Sequence, residues 1–193
     1  MRRAFLWVTI LLFLAGGPTQ HLQAAAKPAV VVPSFTVGGL QFAIPPKWIS
    51  EPVENGARAG QWHVPPLHGQ GDEGGEVVVL YFGPGIGGNA QQNIEAWINT
   101  MVDAAGHPAA AEKKHHLTAG FDISQVAIFG TYNQVVPIPG VPPQPRMNYG
   151  LLGAVIEGKQ GNIYWRFTGP ETLITANLPI FTKAIDSLKP ADK

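Results

Sequence analysis

Glycine and proline punctuate this chain so densely that few segments are left to form long helices. The 193 residues include 23 Gly and 18 Pro. Past the first apolar stretch, every apolar run is broken within about ten residues by Gly, Pro or charge, short of the roughly 20 that a spanning helix needs. Runs of that length between turn residues read as strands. Phe35-Thr36-Val37, Gly38-Gly39 and Leu40 to Ile44 spell strand, tight turn, strand, because both glycines can take positive φ. Leu40, Phe42 and Ile44 share one face at the period of two, Pro45-Pro46 stop the strand, and Trp48 follows as an anchor. Further strands are expected at Arg58 to Val64, Glu76 to Phe82, Lys113 to Ala119, Ile123 to Tyr132, Met147 to Glu157 and Asn162 to Thr168. Glu76 to Phe82 is apolar on both faces, which places it inside the sheet.

Two segments keep helical period. Ile94, Trp97, Ile98, Met101, Val102 and Ala105 form one apolar stripe, so the spacing predicts a helix over 89–105, with Asn89 as N-cap and Gly106 just past its end. A second helix is expected over 171–188, with Leu178, Phe181, Ile185 and Leu188 as its stripe. Pro179 lies inside it, so the helix either kinks or starts there. The order strands, helix, strands, helix with hairpin-length links is that of an α+β fold, a largely antiparallel sheet with helices packed on it.

The first residues read as an export signal. Met1-Arg2-Arg3 is basic, Ala4 to Gly17 is almost wholly apolar, and small residues follow at Ala24-Ala25-Ala26. The expected organisation is a signal peptide over 1–26 cut after Ala26 or Ala24, a short lead over 27–34, one domain over 35–189 and a tail over 190–193. The product would be exported, periplasmic or extracellular. Cleavage removes Arg2 and Arg3 and leaves 11 basic against 13 acidic residues. That balance speaks against a nucleic-acid partner, which needs a clustered basic patch. The chain has no Cys, which removes thiol nucleophiles, disulfides and Cys-ligated metals.

Gly83-x-Gly85-x-x-Gly88 sits between a strand and a helix and has the form of a dinucleotide fingerprint. That site also needs an acid about 20 residues on, at the end of the next parallel strand. None stands there, and Pro84 removes one N–H that a phosphate would use. No Lys follows Gly88, so a phosphate loop fails as well. Two readings stay open. The N–H groups of Gly87, Gly88, Asn89 and Ala90 at a helix start could hold an anionic group beside a ligand pocket, or the glycines simply turn the chain from strand to helix.

Other chemistry is thinner. His115 and His116 are adjacent on a strand and point to opposite faces, so they cannot chelate one ion together. No serine stands in G-x-S-x-G. Asp72, Glu73 and Glu76 crowd a Gly-rich loop without the spacing of a calcium loop. No catalytic residue, cofactor or metal ligand is expected. Pro137 to Pro145 holds five prolines in nine residues. Pro139, Pro142, Pro143, Pro145 and Arg146 are the candidate partner-binding residues, because such a run favours a stiff extended backbone that can dock on aromatic grooves. The same run also serves as a rigid hairpin loop. Trp97 and Trp165 lie on apolar stripes and are expected in the core.

Several of these motifs carry a resemblance. The apolar strand with Tyr81-Phe82-Gly83, the helix with Asn93-Ile94-x-x-Trp97, and the upstream Pro46-Lys47-Trp48 are three of them. The others are Arg58-Ala59-x-x-Trp62-x-Val64-Pro65 and the closing Trp165-Arg166-Phe167-Thr168-Gly169-Pro170. The pattern resembles a group of exported bacterial proteins with the PsbP/Mog fold, over about residues 35–188. The resemblance implies an antiparallel sheet with helices on both sides, an α/β/α sandwich. It also implies a protein that binds or organises other proteins, here another envelope protein, rather than an enzyme. The alternative reading is a small-ligand carrier or hydrolase using a pocket beside the turn at 83–89.

Overall fold

The computed structural model describes residues 32–53, 56–69, 71–134, 140 and 142–191. The expected signal peptide and Pro139 lie outside them. β1 (Ser34–Val37) and β2 (Leu40–Ala43) pair antiparallel through Gly38 and Gly39, at φ 56° and 75°. Leu40, Phe42, Ile44 and Trp48 are buried, as their spacing predicts. The larger sheet is built from β3 (Ile49–Ser50), β4 (Arg58–Val64), β5 (Gly75–Tyr81), β6 (Met101–Val102), β7 (Ala111–Thr118), β8 (Phe121–Gln134), β9 (Gln144–Glu157) and β10 (Ile163–Pro170). Its order is β3-β4-β5-β10-β9-β8, with β6 and β7 pairing to different stretches of β8. Every one of these pairings is antiparallel. β11 (Lys189–Pro190) pairs with β2 and completes a separate three-stranded sheet.

Both faces of the larger sheet are covered. α1 (Ala90–Ile98) lies on one face, where Ile94, Trp97 and Met101 pack with Val126, Leu151 and Val155. α2 (Glu171–Asp186) and the three-stranded sheet cover the other, around Trp165 and Phe167. Trp165 is wholly buried and stacks on Trp62, with centroids 5.8 Å apart. Phe42 and Phe35 meet the same indole at 5.1 Å and 6.1 Å, which ties the first hairpin to β4 and β10. The α+β expectation, a largely antiparallel sheet with helices packed on it, holds. All four tryptophans from Trp48 onward are buried, Trp97 and Trp165 among them.

Three expectations are corrected. The first helix ends at Ile98, not Ala105. Asn99 caps it, and the Thr100 hydroxyl donates to the Trp97 carbonyl at 2.6 Å. Met101 and Val102 then join β8 as a short strand, and Gly106 sits in a turn closed by Asp103, whose carboxylate accepts from the N–H groups of Ala105 and His107. The second helix does not start at Pro179. It runs from Glu171 through Pro179 to Asp186. Its buried stripe is Leu173, Ile174, Asn177, Phe181, Ala184 and Ile185, while Leu178 stands exposed. Finally, Pro145 is not in a loop. Gln144 and Pro145 already pair with Gln134 and Asn133 as the start of β9, at an edge position where a missing N–H is tolerated.

Gly153 makes the seat for α1. A Cβ there would collide with the Trp97 ring and press Val126. Gly153→Val is expected to lower unfolding free energy by about 2–3 kcal/mol, the cost of overpacking a close-packed core, read as a lower urea midpoint at unchanged slope.

Candidate functional site

The glycine-rich turn satisfies much of its own backbone. Gly83, Gly85, Gly87 and Gly88 all have positive φ, which is what lets the chain swing from β5 into α1. A Cβ at Gly87 would strike the Tyr164 hydroxyl and the Phe82 ring. Asn89 and Gln92 form a reciprocal capping box: Asn89 Oδ1 accepts from the Gln92 N–H at 2.9 Å, and Gln92 Oε1 accepts from the Asn89 N–H at 3.1 Å. The Gly88 carbonyl accepts from Tyr164 Oη at 2.7 Å and Asn162 Nδ2 at 3.1 Å, and the Gly87 carbonyl from Asn93 Nδ2 at 2.8 Å. Burial pushes the Tyr164 phenol pKa up. Ala90 is buried under the helix start. Gly87, Gly88, Asn89 and Ala90 thus form one built turn, in which the Asn89 N–H and the Gly87 and Gly88 carbonyls find partners within the chain.

The other candidate set forms a projecting ribbon. Beyond a bulge between Gly130 and Tyr132, β8 and β9 continue as a pair after β10 has ended at Tyr149. Asn148 takes φ 54°, a left-handed turn within the strand that marks the bend. Pro142, Pro143, Pro145, Arg146 and Met147 are all exposed there, Met147 at 75%. The base of the ribbon is pinned. Arg146 Nη1 and Tyr149 Oη each donate to Glu73 Oε1 at 2.6 Å. Tyr149 stacks on Tyr132 at 6.1 Å, and the Arg146 guanidinium lies 6.0 Å from the Tyr149 ring. Pro142, Pro143, Pro145 and Arg146, the residues named from the sequence as partner-binding, lie here together with Met147, Tyr149 and Tyr132, which the sequence reading did not name for that role. It took Glu73 for part of an acidic loop. That loop is divided: Glu73 holds the ribbon, and Glu76 pairs with Arg58 at 2.9 Å.

The remaining polar candidates serve separate structural ends. His115 and His116 point apart, His115 to Asp122 at 3.2 Å and the more buried His116 to Asp186 at 2.7 Å. The Ser187 hydroxyl donates to the Ala184 carbonyl and accepts from the Ala43 N–H. Among the described residues no group of three or more His, Asp or Glu is placed to hold one metal ion, and no helix is long and apolar enough to cross a membrane.

No family model and no curated protein matches the chain. Fourteen chains of solved structures do. One is the solution structure of cyanobacterial PsbP (CyanoP) from Synechocystis sp. PCC 6803, at 16% identity and a TM-score of 0.51, covering 91% of this chain and 100% of that one. The chain has a PsbP-like fold. The resemblance carried by the sequence motifs therefore holds at the level of architecture.

Partial burial, and then the hydrogen bond to Glu73, raise the Tyr149 pKa from 10.0 to about 12. The folded state holds this proton more tightly than the unfolded chain. The stability it contributes is whole below pH 10 and drains away as pH rises toward about 12. In a tyrosinate absorbance titration, Tyr149→Phe is expected to delete the highest-pH step. Glu73→Gln should move that step down while leaving it above 10, since burial remains. A step unmoved by Glu73→Gln would disprove the pinning.

Proposed function

We propose that this protein is an exported, non-catalytic binding or scaffold module that engages another envelope protein through the β8–β9 ribbon. The observation that carries this reading is the pinned, exposed ribbon itself. It offers Pro142, Pro143, Pro145, Arg146 and Met147 on a backbone already bent and locked by Glu73, Tyr149 and Tyr132. A preorganised element loses little conformational freedom on binding. Met147 adds an adaptable apolar side chain of the kind used at binding surfaces. Export rests on the basic and apolar start of the chain. The binding role is in line with what the PsbP/Mog resemblance implies.

A photo-crosslinking amino acid placed at Met147, in cells that export the protein, is expected to trap one discrete protein adduct. The same label at Ile49, exposed on β3 at the opposite edge of the sheet, should trap none. Pro142→Ala with Pro145→Ala should reduce the adduct several-fold at unchanged thermal midpoint. Equal labelling at both positions, or none at Met147, would contradict the reading.

A further inference from the structure

β7 leaves a long edge of the larger sheet open. It is eight residues long and pairs with β8 alone, in unbroken register from Ala111↔Ile128 to Thr118↔Phe121. An antiparallel strand turns half of its backbone N–H and C=O groups toward its neighbour and half away. Among the described residues no backbone hydrogen bond reaches the outward half on β7. Other edges are blunted: β3 has two residues, β1 has four, and the end of β9 past β10 carries Pro145. β7 has no proline and no bulge, so its backbone is ready to take a further strand.

The side chains decide which strand. Glu112, Lys113, Lys114, His115 and Leu117 are exposed, Leu117 at 67%. Lys113 faces the α1 side with Val126, and Lys114 the α2 side with Gln125. Neither lysine makes an ion pair among the described residues. Both histidines are engaged, His115 by Asp122 and His116 by Asp186. Each lysine therefore offers its charge to whatever residue lies directly across from it.

A second copy of this chain fits poorly. Laid antiparallel in full overlap, it sets Lys114 against His115, Lys113 against His116 and Glu112 against Leu117. No opposite charges meet in that arrangement, and two cations on each strand are brought close. Cross-strand pairs of opposite charge stabilise a ladder and like charges destabilise it. The same lysines that turn away stray or identical strands thus select for an acidic one.

We propose that β7 docks an extended acidic segment of another protein, added to the sheet as an antiparallel strand. Two adjacent carboxylates lie opposite Lys114 and Lys113, one on each face. A basic residue lies opposite Glu112, and an apolar one opposite Leu117. Read along the partner, the pattern is apolar, any, any, acid, acid, base. This edge is separate from the β8–β9 ribbon and stands or falls independently of the docking role given to it.

The probe is the capped peptide TVTTEEKT, titrated by fluorescence anisotropy into the purified protein. It is expected to bind saturably, about three- to thirtyfold tighter than its TVTTQQKT control, the worth of two cross-strand ion pairs. In NMR spectra it should shift the amides of β7 and slow the exchange of alternate ones. Two further peptides carry N-methyl groups on alternate residues, one set for each edge of the strand. Only the one methylated on the outer edge should bind. Lys113→Glu with Lys114→Glu, both at exposed positions, should lose TVTTEEKT and gain the charge-reversed TVTTKKET. No saturable binding, equal affinity for the glutamine control, binding by both methylated peptides, or a dimer of the protein that the peptide breaks would overturn the proposal.

Discussion

The pairing of β8 with β9 is the interaction on which the rest of this structure hangs. Both strands are 14 residues long and run in register from Asp122↔Glu157 to Gln134↔Gln144, interrupted only at Gly130. An antiparallel pair of that length presents two faces along its whole span. One face supports α1 through Val126, Leu151 and Val155. The other supports α2 and the aromatic cluster around Trp165 through Ile123, Leu152 and Ala154. Such a ladder is non-local in its far pairs, and both cores pack against it.

The same ladder explains where surface function can lie. Its far end outruns β10 and becomes the ribbon that carries Pro145 and Met147. Its flank recruits β7, an edge strand that α2 meets at its last residue, where Asp186 lies 2.7 Å from His116. Edge strands rich in lysine resist pairing with stray chains. Lys113 and Lys114 fill that role on β7. The glycine-rich turn, by contrast, lies at a junction where Tyr164, Asn162 and the capping box supply its partners, so its glycines are accounted for by the turn itself.

Much of this was legible in the sequence, for local reasons. Arg58 to Val64 has the observed boundaries because Pro65 and a Gly-rich loop end it. The Gly38-Gly39 turn and the Asn89 cap are written in residues that favour those backbone angles. The misread helix end shows what is not local. Met101 and Val102 continue the apolar stripe of α1, but Asn99 and Thr100 break it and β8 takes the two residues as a strand. In α2 the true stripe passes through Asn177, whose amide is satisfied by the Leu173 carbonyl at 2.9 Å. That polar residue hid the period and left Leu178 in its place. The Glu73 clasp joins the loop before β5 to Arg146 and Tyr149 on β9, two strands away across β10, so no pattern along the chain could show it.

Native-state hydrogen exchange tests the central place of this ladder most directly. Amides of Val126 to Ile128 and Leu151 to Val155 are expected to exchange only with global unfolding, the slowest set in the protein. Those of β7 and of the ribbon over 144–148 should exchange through smaller, local openings. Exchange of the β8–β9 centre ahead of β4 and β5 would contradict the account, and the fold would then rest on the aromatic cluster alone.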